Sequence, residues 1–288
     1  MNKKLCICVS GGLDSFTAIM YAKTVFCPKH NIDFENEVIL LSVRETSIDS
    51  KQLAIKEYNS LFNLAMAYGF VNNLKTVLID GYENLVKPAD SHVVLGRNAM
   101  LASIGAGIAE TVWICGTAYE DNPGMYDKNS QFFYDMTKAL TQACKYLGRN
   151  RTFIESPFQG RIYDNRNFGY SSMEKHDMIV WLESQGIKDW RLTTSCFHPT
   201  HKRCGDCVVC GKRFVYEKWV ELQHGIKFDE IKELRETFVS DPLKNKYLLE
   251  TFEKMKDKNN EGRYHSSRVL IYKTVLKYYE KARKNENV

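Results

Sequence analysis

Apolar runs alternate with helical periods along the first two-thirds of the chain. Short runs at 4–9, 37–43, 74–79, 111–116 and 152–156 are hydrophobic throughout rather than at every second position. That pattern predicts strands buried on both faces of a parallel sheet. Between them, the spacing of apolar residues predicts helices over 14–23, 51–67, 98–110 and 131–146, and a further helix over 173–184. Gly69, Gly148 and Gly186 stand where such helices would end, at positions that favour a left-handed residue. The alternation predicts an α/β fold, a parallel sheet sandwiched by helices. Beyond Cys210 the pattern changes. Residues 214–284 read as helices with charged faces, broken at Gly225, at 241–242 and over 259–262, and no repeat of fixed period is present.

Composition narrows the class. The 288 residues are 44% hydrophobic and 26% charged, average globular usage, and their number allows one large domain or two modest ones. The 17 glycines and 6 prolines are too few for collagen-like or low-complexity architecture. Apolar runs such as 64–67 and 112–115 fall far short of the ~20 residues that span a bilayer, and residues 1–9 lack a signal-peptide pattern. A soluble cytoplasmic protein with no membrane partner is expected. Nine cysteines, an odd number, argue against a disulfide framework. The net charge of +5 is concentrated at the end of the chain, where residues 226–288 hold fifteen basic and eleven acidic side chains.

The first candidate chemistry follows the first strand. Ser10, Gly11, Gly12, Leu13, Asp14 and Ser15 join that strand to the first helix. Two glycines allow a tight turn that brings backbone N–H groups close to an anion, and the helix N-terminus adds partial positive charge. Ser10 and Ser15 add hydroxyls. A loop of this kind binds phosphate or pyrophosphate, and neither the Walker pattern nor GxGxxG is present. The segment resembles the loop of the ATP pyrophosphatase (PP-loop) superfamily, which cleaves ATP between its α and β phosphates and adenylates a substrate. The resemblance implies a Rossmann-like (HUP/PP-loop) sheet and a loop that holds departing pyrophosphate with magnesium. Asp14 is read either as a magnesium contact or as a cap of the first helix.

The second candidate chemistry is a cysteine cluster. Cys196, Cys204, Cys207 and Cys210 lie within fifteen residues, with two CxxC steps. Four thiolates complete a tetrahedral zinc shell with no open position, so a structural zinc knuckle is expected. His198 and His201 lie in the same loop as alternative ligands, and an iron–sulfur cluster is the other occupant considered. Cys6, Cys8 and Cys115 are read as small hydrophobic residues on strands.

Taken in order, the two motifs resemble the 7-cyano-7-deazaguanine synthase family of queuosine biosynthesis. Gly96-Arg97-Asn98 is similar to its GRN step, Gly116 to Asp121 to its G-x4-D, Lys175 and Asp177 to its K-x-[DE], Ser195-Cys196 to its SC, and Arg213 to the arginine after its last cysteine. The likeness covers about residues 1–215. It implies a C–N ligase that uses ATP to adenylate 7-carboxy-7-deazaguanine, a small-molecule substrate, and converts it with ammonia into the nitrile, releasing AMP and pyrophosphate. Lys175 would neutralise the phosphates. Asp127 and Asp121 are read as base or substrate contacts or as surface turn residues. Arg97 is read as pairing with a carboxylate or phosphate, and Asn98 as a substrate contact or a helix N-cap. Arg44, placed just beyond the second strand, is read as near the adenine or as solvated. Three departures bear on the substrate: residues 125–129 replace a YPDCR-like segment, so Asn129 stands for the family's arginine, the 158–174 loop is long and carries Arg161 and Arg166, and the helical tail runs past Arg213.

The expected division is a PP-loop domain over 1–190, a zinc knuckle over 191–215 and a helical extension over 216–288. In the extension, Lys273, Lys277 and Lys281 recur every four residues beside an apolar face of Val269, Tyr272, Leu276 and Tyr279, with Arg263 and Arg268 upstream. That face supports a homodimer as readily as docking within the chain. Two further readings follow: a related ligase that stops at the amide or joins the deazaguanine to another amine or a protein, and a zinc-containing tRNA-binding or tRNA-modifying protein using the basic tail.

Overall fold

Five parallel strands arise from the five apolar runs: β1 (Lys3–Cys8), β2 (Val38–Glu45), β3 (Leu74–Ile79), β4 (Ala109–Ile114) and β5 (Phe153–Glu155). Their order is β3-β2-β1-β4-β5, with Ile7 of β1 opposite Leu40 on one side and Trp113 on the other. The computed structural model describes residues 3–45, 51–80, 96–120, 126–159, 172–194, 196, 207–227 and 266–284. The chain divides into two units, Met1–Glu174 with Ile187–Thr194, and Lys175–Gly186 with Ser195–Val288.

In the first unit the chain builds outward from β1 to β3, then crosses back to place β4 on the other side of β1. Open α/β sheets bind ligands at such a reversal, beyond the carboxyl ends of the strands. Helix α1 (Leu13–Tyr21) leaves β1 and runs through a π turn (Ala22–Phe26) into α2 (Cys27–His30). A short α3 (Phe34–Glu37), capped by Asp33, leads into β2. Helices α4 (Lys51–Tyr68), α5 (Arg97–Ile108) and α6 (Ser130–Ala143) complete the layers. Gly69 and Gly148 are left-handed, with φ of 71° and 72°, as their positions predicted.

The core lies on both faces of the sheet. Under α5 and α6 sit Cys6, Cys8, Ala102, Ala106, Val112, Ile114, Phe133 and Ile154. Gly105 is required there, because a Cβ would lie 2.6 Å from the Val112 side chain. On the other face the fully buried Trp113 packs edge-on against Phe26, with ring centroids 4.8 Å apart.

One expectation fails at β3. The run at 74–79 was expected to be covered on both faces, but β3 is an edge strand, and Leu78 is 66% exposed. The opposite edge, β5, is sealed by α6. Thr137 Oγ1 accepts from Ile154 N–H (3.0 Å) and donates to its carbonyl, and Thr141 Oγ1 does the same for Thr152 (3.1 and 2.9 Å). Two hydroxyls thereby occupy backbone groups that would otherwise template another strand.

Arg149, invisible as a motif, closes the C-terminus of α5. Buried, it donates from Nη1 to the carbonyls of Ala106 and Ala109 and from Nη2 to that of Gly107. These are end carbonyls that the helix itself cannot satisfy, and a cation there also suits the helix dipole. Arg149→Ala removes this donor from the buried Ala106 and Ala109 carbonyls, leaving Ala106 the weak Cys144 thiol. We expect a loss of about 2–4 kcal/mol in denaturant unfolding; an unchanged midpoint would show that the contacts carry no stability.

The second unit contains α7 (Lys175–Ser184), α8 (Val208–His224) and α9 (Ser266–Lys284), with α7 and α9 both packed on α8. Gly186 and Gly225 are left-handed, with φ of 72° and 67°. Helix α9 buries Ile271, Tyr272 and Val275, while Lys273, Lys277 and Lys281 are exposed. The buried face is thus rotated from the expected one: Val269 and Leu276 are only half-buried. Helix α8 carries a buried ion pair, Arg213 Nε to Glu217 Oε1 at 2.9 Å. The expected breaks at 241–242 and 259–262, and Arg263, lie outside the described residues. No helix among the described residues is long and apolar enough to cross a membrane.

Candidate functional site

The loop after β1 has the conformation its glycines predicted. Gly11 has φ +84°, and a Cβ on it would stand 2.5 Å from the Glu57 carbonyl oxygen of α4. Gly12 occupies the N-cap of α1 in an extended conformation, with no side chain among the described residues capping it. The uncapped first turn offers backbone N–H groups and the positive end of the dipole to an anion.

The loop is braced from three directions. Thr194 N–H donates to the Gly11 carbonyl at 2.9 Å. Ser60 Oγ on α4 donates to the Leu192 carbonyl at 2.8 Å and lies 3.5 Å from the Gly11 carbonyl. The buried Ser15 hydroxyl accepts from Ser10 N–H at 3.3 Å and donates to the Gly12 carbonyl at 3.0 Å. Ser15 therefore stabilises the turn with its hydroxyl, rather than holding it out to a ligand. Ser10 is exposed and Leu13 is buried, anchoring the first turn. Asp14 is half-buried in that turn, and the cap position belongs to Gly12.

Arg44 corrects its expected placement. It lies inside β2, not beyond it, and is 6% exposed rather than solvated. Nη1 donates to Glu57 Oε2 at 3.0 Å, and the guanidinium lies over the Tyr58 ring, 5.8 Å from its centroid. Burial pushes the Arg44 pKa down while Glu57 pulls it back up; burial raises that of Glu57, opposed by Arg44, Arg97 and Lys56. The sequence carried no signal for Glu57, since a glutamate on a helix ordinarily reads as a solvated charge.

On the other side of β1, α5 begins at Gly96, left-handed at φ 70°. Arg97 opens the helix and is exposed. Asn98 is not the N-cap, a place Gly96 takes. It is buried two positions further in, and its Nδ2 donates to both the carbonyl and Oδ2 of Asp127, each at 3.0 Å. The structure thus joins Asn98 to Asp127, half-buried, across 29 residues of sequence. Asn129, standing where the family's arginine would be, caps α6 by accepting from Phe132 N–H at 2.8 Å. Gln159, which sequence reasoning missed, is buried and donates to the Lys128 carbonyl at 2.6 Å and to that of Thr117 at 3.3 Å. A Cβ on Gly116 would lie 2.9 Å from its Nε2 and 3.3 Å from the Lys128 carbonyl oxygen. Asp121, Arg161 and Arg166 lie outside the described residues.

The second unit holds the other candidates. Lys175 opens α7 half-buried, with Asp177 exposed in the same turn. Between them His176 stacks on Tyr216 (centroids 5.9 Å apart, 12° between planes), with Nε2 3.3 Å from Asp177 Oδ1. Burial lowers its pKa, Asp177 opposes this, and His224 adds to it. A histidine with a depressed folded pKa contributes stability that is present above its unfolded value of about 6.5 and is lost as pH falls through the folded value. Melting of the protein is expected to drop across that acid window, and His176→Phe to flatten the dependence; an identical pH profile in the variant would contradict it.

Cys196, Cys207 and Cys210 bring their sulfurs within 4.8 Å of one another. Cys207 is the N-cap of α8, and its Sγ accepts from Cys210 N–H at 3.5 Å. Sulfurs gathered at one turn, with the Cys210 N–H directed at Cys207 Sγ, suit a thiolate-bound cation. Cys204, Ser195, His198 and His201 lie outside the described residues.

Comparison with known proteins agrees with this layout. A family model described as queuosine biosynthesis protein QueC matches residues 4–218. A 7-cyano-7-deazaguanine synthase of Thermoplasma acidophilum is 27% identical over 229 residues, which is 73% of this chain and 85% of the relative. Synthase 2 of Colwellia psychrerythraea is 26% identical over 226 residues, 73% of this chain and 92% of its own. The synthase of Picrophilus torridus is 27% identical over 270 residues, covering 86% and 99% of the two chains.

Proposed function

This chain belongs to the QueC family of queuosine-biosynthesis proteins, and on that footing we propose that it is a 7-cyano-7-deazaguanine synthase. It uses ATP to adenylate 7-carboxy-7-deazaguanine, replaces AMP with ammonia, and dehydrates the resulting amide to the nitrile. The observation that carries this reading is the turn of Gly11 and Gly12, uncapped at the start of α1 beside the reversal of strand order.

The substrate carboxylate attacks the α-phosphorus, the bond to the β-phosphate breaks, and pyrophosphate leaves into the loop of Ser10, Gly11, Gly12, Leu13, Asp14 and Ser15. Backbone N–H groups of the first turn of α1 receive its charge, Arg44 adds to the positive field beside the loop, and Lys175 neutralises the departing phosphates. Ammonia then attacks the activated carbonyl and AMP leaves, giving the amide. A second adenylation falls on the amide oxygen, which departs on AMP as nitrogen gives up its protons. Arg97, Asn98, Asp121 and Asp127 bind the deazaguanine. Positioning and electrostatics supply most of the rate.

Asp14 would hold magnesium, which offsets phosphate charge when bound. Cys196, Cys204, Cys207 and Cys210 would hold zinc, a structural ion that fixes the start of α8. The protein acts in the cytoplasm on a small molecule and ammonia. Mass spectrometry of the product formed from 7-carboxy-7-deazaguanine, ATP, magnesium and ammonium tests the reading. The nitrile is expected; an accumulating amide, or the deazaguanine joined to another amine, would contradict it.

A further inference from the structure

The buried guanidinium of Arg44 uses only part of its hydrogen-bonding capacity. Nη1 is engaged by Glu57, while Nε and Nη2 are buried and have no hydrogen-bond partner among the described residues. Those two nitrogens lie on one edge of the guanidinium plane, with parallel N–H bonds, the fork that grips two acceptors side by side. Two residues earlier on the same strand face, the fully buried Ser42 hydroxyl is also unpartnered. Donors left unsatisfied in a protein interior are costly and rare, so a cluster of them calls for an explanation.

Their place in the fold supplies one. Glu57 touches both parts of the site: its carboxylate holds Arg44, and its main-chain carbonyl abuts Gly11. Ser60, three residues along α4, donates to the Leu192 carbonyl, and Thr194, two residues on, in turn bonds the loop. One helix therefore fixes the phosphate loop and the arginine together.

We propose that Glu57 is a positioning residue that orients Arg44, so that its Nε/Nη2 edge receives an anionic group presenting two oxygens during the reaction. This rests on the synthase reading, and it differs from the expectation that Arg44 lies near adenine. Adenine's edges set a donor beside an acceptor, which a two-donor fork does not match. A phosphate and a carboxylate both match, and the reaction offers each, on ATP and on the deazaguanine acid. Burial already disfavours the charged guanidinium, so an arriving anion gains from pairing with it.

Equilibrium binding of a non-hydrolysable ATP analogue and of 7-carboxy-7-deazaguanine to the wild type, Arg44→Lys and Glu57→Gln tests this. Lysine keeps the charge and loses the fork; glutamine keeps the shape and loses the charge that orients it. Arg44→Lys is expected to weaken one of the two ligands about 10- to 100-fold and leave the other within about twofold, and Glu57→Gln to weaken that same ligand less. Loss with the analogue assigns the fork to phosphate, and loss with the acid assigns it to carboxylate. Folded variants that bind both ligands like wild type overturn the inference. In the wild type itself, the Arg44 Nε–H proton resonance is expected to move downfield with the ligand that engages it. A resonance unmoved by either ligand overturns the inference even if neither variant folds. A wild type that makes no AMP and pyrophosphate sinks the synthase reading instead, so the two failures are separable.

Discussion

Gly11→Ala abolishes product formation and lowers stability, whereas Gly12→Ala leaves the fold intact. The difference lies in backbone geometry. Gly11 has φ +84°, a region costly for any residue with a Cβ, and the added carbon would stand 2.5 Å from the Glu57 carbonyl. That neighbour is helix backbone, which has no rotamer with which to yield. Gly12 has φ −81°, and its Cβ would meet the Ser10 hydroxyl and the Thr194 carbonyl at ordinary van der Waals distances of 3.4 Å. We expect Gly11→Ala to cost about 2–4 kcal/mol in denaturant unfolding, from strain and overpacking together. Its turnover falls further than stability alone explains, because the loop moves away from α4 and Arg44. Gly12→Ala stays within about 1 kcal/mol of wild type. Equal stabilities for the two variants would mean that the loop is not pinned against α4.

On the zinc reading proposed above, Cys207→Ser or Cys210→Ser is expected to strip the metal and unfold the start of α8. Cys207 both caps that helix and accepts from Cys210 N–H, so the cysteine cluster and the helix N-terminus are one structure. Structural zinc supplies apparent binding energies of about 10–16 kcal/mol in zinc-finger peptides, far more than a single cap contributes. Metal analysis is expected to fall from one zinc per chain to nearly none, and limited proteolysis to cut within 196–215, in the serine variants and in wild type treated with a strong chelator. A serine variant that keeps a full equivalent of zinc and resists protease would show that these sulfurs are not ligands.

Much of the fold was legible because its signals are local. Apolar runs marked the strands within about two residues at either end, and Gly69, Gly148 and Gly186 adopt the left-handed conformation that their positions called for. The exposure of β3 was not legible, because a run of Leu, Val and Ile reads alike at the centre and at the edge of a sheet until the strand order is known. The motifs of the site were readable for the same local reason: SGGLDS and the cysteine steps are contiguous. What escaped was set by partners distant in sequence. Asn98 read as a substrate contact or a cap because it follows Gly-Arg at a helix start, yet its amide is drawn to Asp127. Arg44 read as near the adenine or as solvated, and it was not legible that a glutamate thirteen residues on pairs with it in the interior. Gln159 and Arg149 belong to no pattern at all; each is defined by backbone carbonyls it reaches in the fold.

We propose that the loop between β1 and α1 receives the pyrophosphate that ATP releases when the acid is activated. Phosphorus NMR of the reaction with 7-carboxy-7-deazaguanine, ATP, magnesium and ammonium reads this directly. The account predicts AMP and pyrophosphate in equal amounts, dependent on the acid and absent in Gly11→Ala. ADP with orthophosphate would contradict it.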